Sequence, residues 1–112
     1  MIFPRLNRRL TLESPTRQSD GAGGYVVSWT ALGELWAEVV PRTGRETQTA
    51  GTPVAAVSYK IIVRGARVGD TRRPVPEQRF REGSRIFQIR AVTEHDRNAH
   101  YLVCFADEEV AV

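Results

Sequence analysis

The chain has 112 residues, 41% hydrophobic and 26% charged, with a single cysteine, Cys104. This suits one globular domain spanning 1–112 and excludes intrinsic disorder, an internal disulfide framework and a bilayer-spanning helix, which needs roughly 20 apolar residues in a row. The net charge is +3 and 15 of the 16 basic residues are Arg, a bias that suits contact surfaces with protein or nucleic acid, or reflects an Arg-biased genome.

The opening Met1-Ile2-Phe3-Pro4-Arg5 has no apolar stretch behind it, so no secretory signal is expected. Arg8 to Glu13 alternates and sets Leu10 and Leu12 on one face. Ser19 to Gly24 is a Gly-rich turn, followed by an alternating segment, Tyr25 to Trp29. Thr30 to Glu34 reads as a short break before a strand from Leu35 to Pro41. The cleanest strand runs from Ala55 to Arg64, with Val57, Tyr59, Ile61 and Val63 on one side. Two more follow, Arg85 to Val92 and His100 to Phe105, introduced by turns at Glu82-Gly83-Ser84 and Glu94 to Asn98. Period-two alternation with β-branched and aromatic residues is the strand signature. The last two strands should form an antiparallel hairpin.

Two polar stretches separate these strands. Arg42 to Val54 is 13 residues long, whereas a hairpin connection needs two to five. It carries Arg42, Thr43, Gly44, Arg45, Glu46, Thr47, Gln48, Thr49, Gly51 and Thr52, and is the leading candidate functional loop. Ala66 to Arg81 shows no periodicity, contains Gly69, Pro74 and Pro76, and reads as a second long loop. The segment from Arg64 to Glu82 sets six Arg against Asp70, Glu77 and Glu82, a net +3. Arg67, Arg72, Arg73, Arg79 and Arg81 therefore form a candidate basic interface. The expected fold is all-β: a small antiparallel barrel of about six strands with two long loops, closed so that no sheet edge is left exposed.

Catalytic constellations are thin. His95 and His100 match no zinc spacing, and Cys104 sits mid-strand among apolar residues, as an inert buried thiol would. Asp107-Glu108-Glu109 reads as a solvated acidic end, not an acid/base pair. Gly21 to Gly24 lacks the Lys-Ser/Thr of a phosphate loop. No enzymatic activity, metal or cofactor is expected. Nucleic-acid binding is the stronger rival, since small barrels bind single strands with aromatics and a basic groove. The aromatics Trp29, Trp36, Tyr59, Phe80, Phe87, Tyr101 and Phe105 mostly alternate with polar residues, however, which is the habit of core residues.

The order of these elements resembles the head-tail joining (head-closure or stopper) proteins of tailed bacteriophages and their gene transfer agent homologues. The resemblance is carried by Leu6 to Glu13 with the Gly-rich turn and Trp29, and by Leu35-Trp36-Ala37-Glu38-Val39-Val40-Pro41 running into Gly44-Arg45-Glu46. Tyr59 to Arg64, Gly83 to Ile89 and Tyr101 to Glu108 complete it. The Ala66 to Arg81 stretch, with Arg72-Arg73-Pro74, is longer than usual for that family. The resemblance implies a structural ring, a hexamer or dodecamer, between the portal or adaptor ring and the tail-terminator or tail proteins. It implies packaged double-stranded DNA in the channel, no membrane partner, synthesis in the bacterial cytoplasm and residence in the virion or virus-like particle. It also implies that the Arg42 to Val54 loop gates the channel or contacts a neighbouring ring. A tail-completion or terminator protein is the alternative within that class.

Overall fold

The computed structural model describes residues 3–49 and 52–111, and the side chains of residues 43–56, 110 and 111 fall outside that description. Six strands make up the fold: β1 (Arg8–Ser19), β2 (Tyr25–Thr49), β3 (Thr52–Arg64), β4 (Arg79–Glu82), β5 (Arg85–Glu94) and β6 (Tyr101–Ala111). No helix occurs among the described residues. Every strand pairing is antiparallel, and the sheet closes in the order β1-β2-β3-β6-β5-β4, with β4 returning to β1. The all-β closed architecture is thus the one that the alternation implied.

Side chains that alternate along the strands fill the lumen. Leu10 and Leu12 enter from β1, Ala37 from β2, Tyr59, Ile61 and Val63 from β3, and Phe80 from β4. Phe87 and Ile89 enter from β5, and Leu102, Cys104 and Ala106 from β6. Burial of these apolar groups is the main stabilising term, at about 25 cal/mol per Å² removed from water. Three bulges adjust the phase. Leu12 pairs with Gly33 and Glu13 with Ala31, so Leu32 is an extra residue and turns back toward the core. Gly33 has φ +147°, a value that side-chain-bearing residues rarely adopt, so glycine suits this bend. Arg90 and Arg42 are the extra residues of the other two bulges.

The six-strand count hides two differences from the sequence reading. Tyr25 to Trp29 and Leu35 to Pro41 are parts of one 25-residue strand, because the bulge at Leu32 keeps the chain paired through the expected break. The missing strand is β4, four residues carved from the end of the expected second loop. Both ends of β2 run past the barrel, one with β1 and one with β3, and the molecule is 51 Å long but 23 Å across its shortest axis.

Candidate functional site

The stretch from Arg42 to Val54 is not a loop. The β2–β3 ladder continues through Thr43↔Ser58 and Glu46↔Ala55 to Thr49↔Thr52, leaving only Ala50 and Gly51, outside the described residues, to join the strands. Threonines at 43, 47, 49 and 52 are good strand formers, and cross-strand pairing satisfies the backbone N–H and C=O groups of a segment that leaves the barrel. β6 follows it outward, with Val57↔Glu108 and Val54↔Ala111, so a three-stranded arm projects from the barrel. Of the candidate residues, Thr43, Gly44, Arg45, Glu46, Thr47, Gln48, Thr49 and Thr52 have a place in this ladder, while their side chains, and Gly51 altogether, lie outside the described part. Arg42 sits at the bulge where the arm begins, its guanidinium 5.0 Å from the centre of the Phe105 ring on β6.

The arm's root meets the barrel rim at a cluster of charged groups. Glu108 faces inward, is 7% exposed, and accepts hydrogen bonds from Arg85 Nε at 2.8 Å, Arg85 Nη2 at 3.0 Å and Tyr59 Oη at 3.1 Å. Glu82 accepts a bidentate pair from Arg8 and lies 3.9 Å from Arg85. The hydrogen bond from Arg85 holds the Glu108 carboxyl below the usual glutamate range despite its burial, and Arg8 does the same for Glu82. Burial, followed by the hydrogen bond to Glu108, pushes the Tyr59 phenol up. The expectation of a solvated acidic end is overturned at Glu108, because the inward phase of Leu102, Cys104 and Ala106 carries on to it. Asp107 points outward, to Ser58 and Arg90.

The candidate basic interface does not form one surface. Arg79 and Arg81 belong to β4 and clamp Glu13, which is 5% exposed, with Nε–Oε distances of 2.8 and 2.9 Å. Burial works against ionisation of Glu13, but the hydrogen bonds from Arg81 and Arg79 outweigh it and lower its pKa. Arg79 also stacks 3.9 Å from the Trp29 ring centre. Arg72 doubles back onto Asp70, and Arg73 donates to the Ala66 carbonyl. Of these five candidates, only Arg67 is exposed with no ion pair to the described residues. Pro74 of the same segment is fully buried, so this segment packs onto the barrel.

The aromatics split. Tyr59, Phe80 and Phe87 are core, whereas Trp36 is 54% exposed with the Arg9 guanidinium 5.9 Å from its ring centre. Cys104 is buried and burial pushes its thiol up to about 12. His100 lies 3.5 Å from Asp96, and His95 packs edge-on against Tyr101. No three metal-ligating side chains converge among the described residues. A surface hollow of about 540 Å³ lies between the β1–β2 hairpin and β5, lined by Pro15, Arg17, Trp29 and Arg90.

The family model for phage head completion proteins matches residues 1–109. The chain belongs to the phage head completion protein family. Its structure is also similar to a chain from the virion of a native gene transfer agent particle. That chain is 55% identical, with a TM-score of 0.91, over 98% of this chain and 100% of the other. No curated protein matches. As a phage head completion protein, the molecule has a closure role at the head–tail junction and resides in the particle with other head and tail proteins.

Proposed function

We propose that copies of this protein form a ring between the portal or adaptor ring and the tail, with the β2–β3 arm directed into the channel or onto the neighbouring ring. The favoured setting is a gene transfer agent or a related phage. The ring holds back packaged double-stranded DNA and acts without catalysis. The observation that carries this reading is the 55% identity, over nearly the whole of both chains, to a component of a gene transfer agent virion. The arm supports it, since strands paired from Thr43↔Ser58 to Thr49↔Thr52 give a directed projection where a free loop would sample many positions. The test replaces residues 45–56 by a two-residue Asn-Gly turn between Gly44 and Val57, which face each other in the ladder. Particles carrying this version should lose nuclease-protected DNA or fail to join tails. Full DNA retention with normal tail joining would sink the gating role.

A second reading has one observation in its favour. The exposed Trp36 ring is flanked by Arg9 and lies beside Arg64 and Arg72 in one hollow, which suits a stacked base with its phosphate. Salt-dependent quenching of tryptophan fluorescence by single-stranded DNA, abolished in Trp36→Ala, would favour it.

A further inference from the structure

Beyond Asp107, β6 no longer pairs with β5, whose last partner there is Gln88↔Asp107. It continues only along β3, up to Val54↔Ala111. Glu108 is therefore the first residue of the departing ribbon, and its side chain turns back into the barrel. Its partner Arg85 is the first residue of β5, on the rim. The grip is bidentate, and Arg85 Nη2 also donates to Tyr59 Oη at 3.2 Å, so one guanidinium holds both β6 and β3 at the point where they leave. Arg85 is in turn fixed from two sides. Its guanidinium lies 4.9 Å from the Phe87 ring centre, and Glu82, itself held by Arg8, faces it. The charged groups are Arg8 from β1, Glu82 from β4, Arg85 from β5 and Glu108 from β6, two of each sign, with the Tyr59 hydroxyl of β3 between them. Among the described residues β2 adds no charged group to this cluster, and on β2 the ladder is interrupted by the Arg42 bulge. The described charged contacts thus pin the arm on its β3–β6 side.

We infer that the Arg85–Glu108 pair is a latch that sets the direction in which the arm leaves the barrel, with Tyr59, Glu82 and Arg8 as its support. Arg85 and Glu108 are positioning residues. They act through the arm, and the importance of the latch rests on the reading of the arm as the working part. An ion pair between a buried carboxylate and a guanidinium that is 41% exposed is a poor source of net stability, because desolvation and solvent screening offset most of the attraction, but its bidentate hydrogen bonds admit few geometries. That combination suits aiming a ribbon better than holding a barrel together. The core below it is already filled by Phe87 and Phe80, both fully buried.

The experiment uses the full chain with nitroxide labels at Thr47→Cys on the arm and Thr93→Cys on β5. Cys104 is buried and stays unlabelled in the folded protein. Pulsed electron paramagnetic resonance then reads the arm-to-barrel distance distribution. Wild type should give one narrow distance. Glu108→Gln should broaden it by about twofold or more, or shift it, as the population spreads over several arm directions. The reversed pair, Arg85→Glu with Glu108→Arg, should recover much of the narrow distribution. If a single variant fails to fold, the apolar double variant Arg85→Met with Glu108→Leu removes the pair while keeping the rim filled, and it should fold and show the broad distribution. The same narrow distance in every folded variant, or a broad one in wild type, would overturn the latch. Failure of the gating role would appear separately, as particles that keep their DNA without the arm while these distances still respond.

Discussion

Phe87→Ala against Trp36→Ala tests the inside-outside assignment on which everything else depends. Both are bulky aromatics on strands, yet Phe87 is fully buried and Trp36 is 54% exposed. Phe87 packs edge-on against Tyr59, ring centres 5.2 Å apart at 88°, so its loss removes an aromatic pair as well as opening a cavity. Large-to-small changes of this kind cost about 3–5 kcal/mol. For 112 residues the unfolding entropy near the melting point is about 0.24 kcal/mol/K, so about 4 kcal/mol lowers Tm by about 17 °C. Trp36→Ala loses some half-exposed area and a weak cation–π contact with Arg9, together about 1 kcal/mol, or about 4 °C. Urea unfolding followed by circular dichroism measures both, and an unchanged m-value confirms that the unfolded state is the same. A loss below about 1.5 kcal/mol for Phe87→Ala, or equal losses for the two variants, would show that the strands do not close around Phe87.

Glu13→Gln should cost about 1–2 kcal/mol in the same assay; a fully buried pair would cost more, but Arg81 is 43% exposed and water screens its share. Glu13, Glu82 and Glu108 all have carboxyls held below their ordinary value of 4.5. The unfolded chain therefore takes up their protons first as pH falls. Their contribution is complete above about pH 5 and is lost as pH drops through the lower folded values, so Tm should be level from neutrality to about 5 and then fall, less steeply in Glu108→Gln. With its pKa pushed up to about 12, the Cys104 thiol should resist Ellman's reagent at pH 8 in the native protein and react fully in denaturant.

The parts of the fold that were legible in the sequence are those where one strand face is apolar and the other wet. Val57 to Arg64 and Tyr101 to Ala106 announce themselves in this way, and the Gly83-Ser84 turn joins Glu82 to Arg85 as its composition implies. The arm was not legible because Arg42 to Thr49 is a nearly unbroken polar run, which removes the period-two signal and leaves only the β-preference of its threonines. β4 offers one apolar residue, Phe80, among Arg79, Arg81 and Glu82, shortly after Pro74 and Pro76, too little pattern to separate it from a loop. Bulges hid the rest. An extra residue at Leu32 reverses the phase of β2 in mid-strand and makes one strand read as two. The Glu108 site carried a usable signal, because counting inward residues by twos from Leu102 ends on it. A carboxylate at such a position needs a cationic partner, and Arg85 is the residue two before the inward Phe87.

The change from loop to ribbon alters what a gate made from this segment could do. A free loop of 13 residues blocks a channel by occupying volume, and neighbouring copies need no particular register. A ribbon has a direction, fixed hydrogen-bond partners and an open strand edge, so its effect depends on the angle at which it leaves the barrel. Among the described groups that angle is governed by few contacts: the β3–β6 ladder, the Arg42–Phe105 stack and the Arg85–Glu108 pair. The ladder persists whatever the angle, and the stack is exposed. The charged pair is the element that can exist in one geometry and not in another. A conformational change at the head–tail junction that moves the arm must therefore break or rebuild it, whereas the barrel, closed on itself and packed through its lumen, can stay as it is.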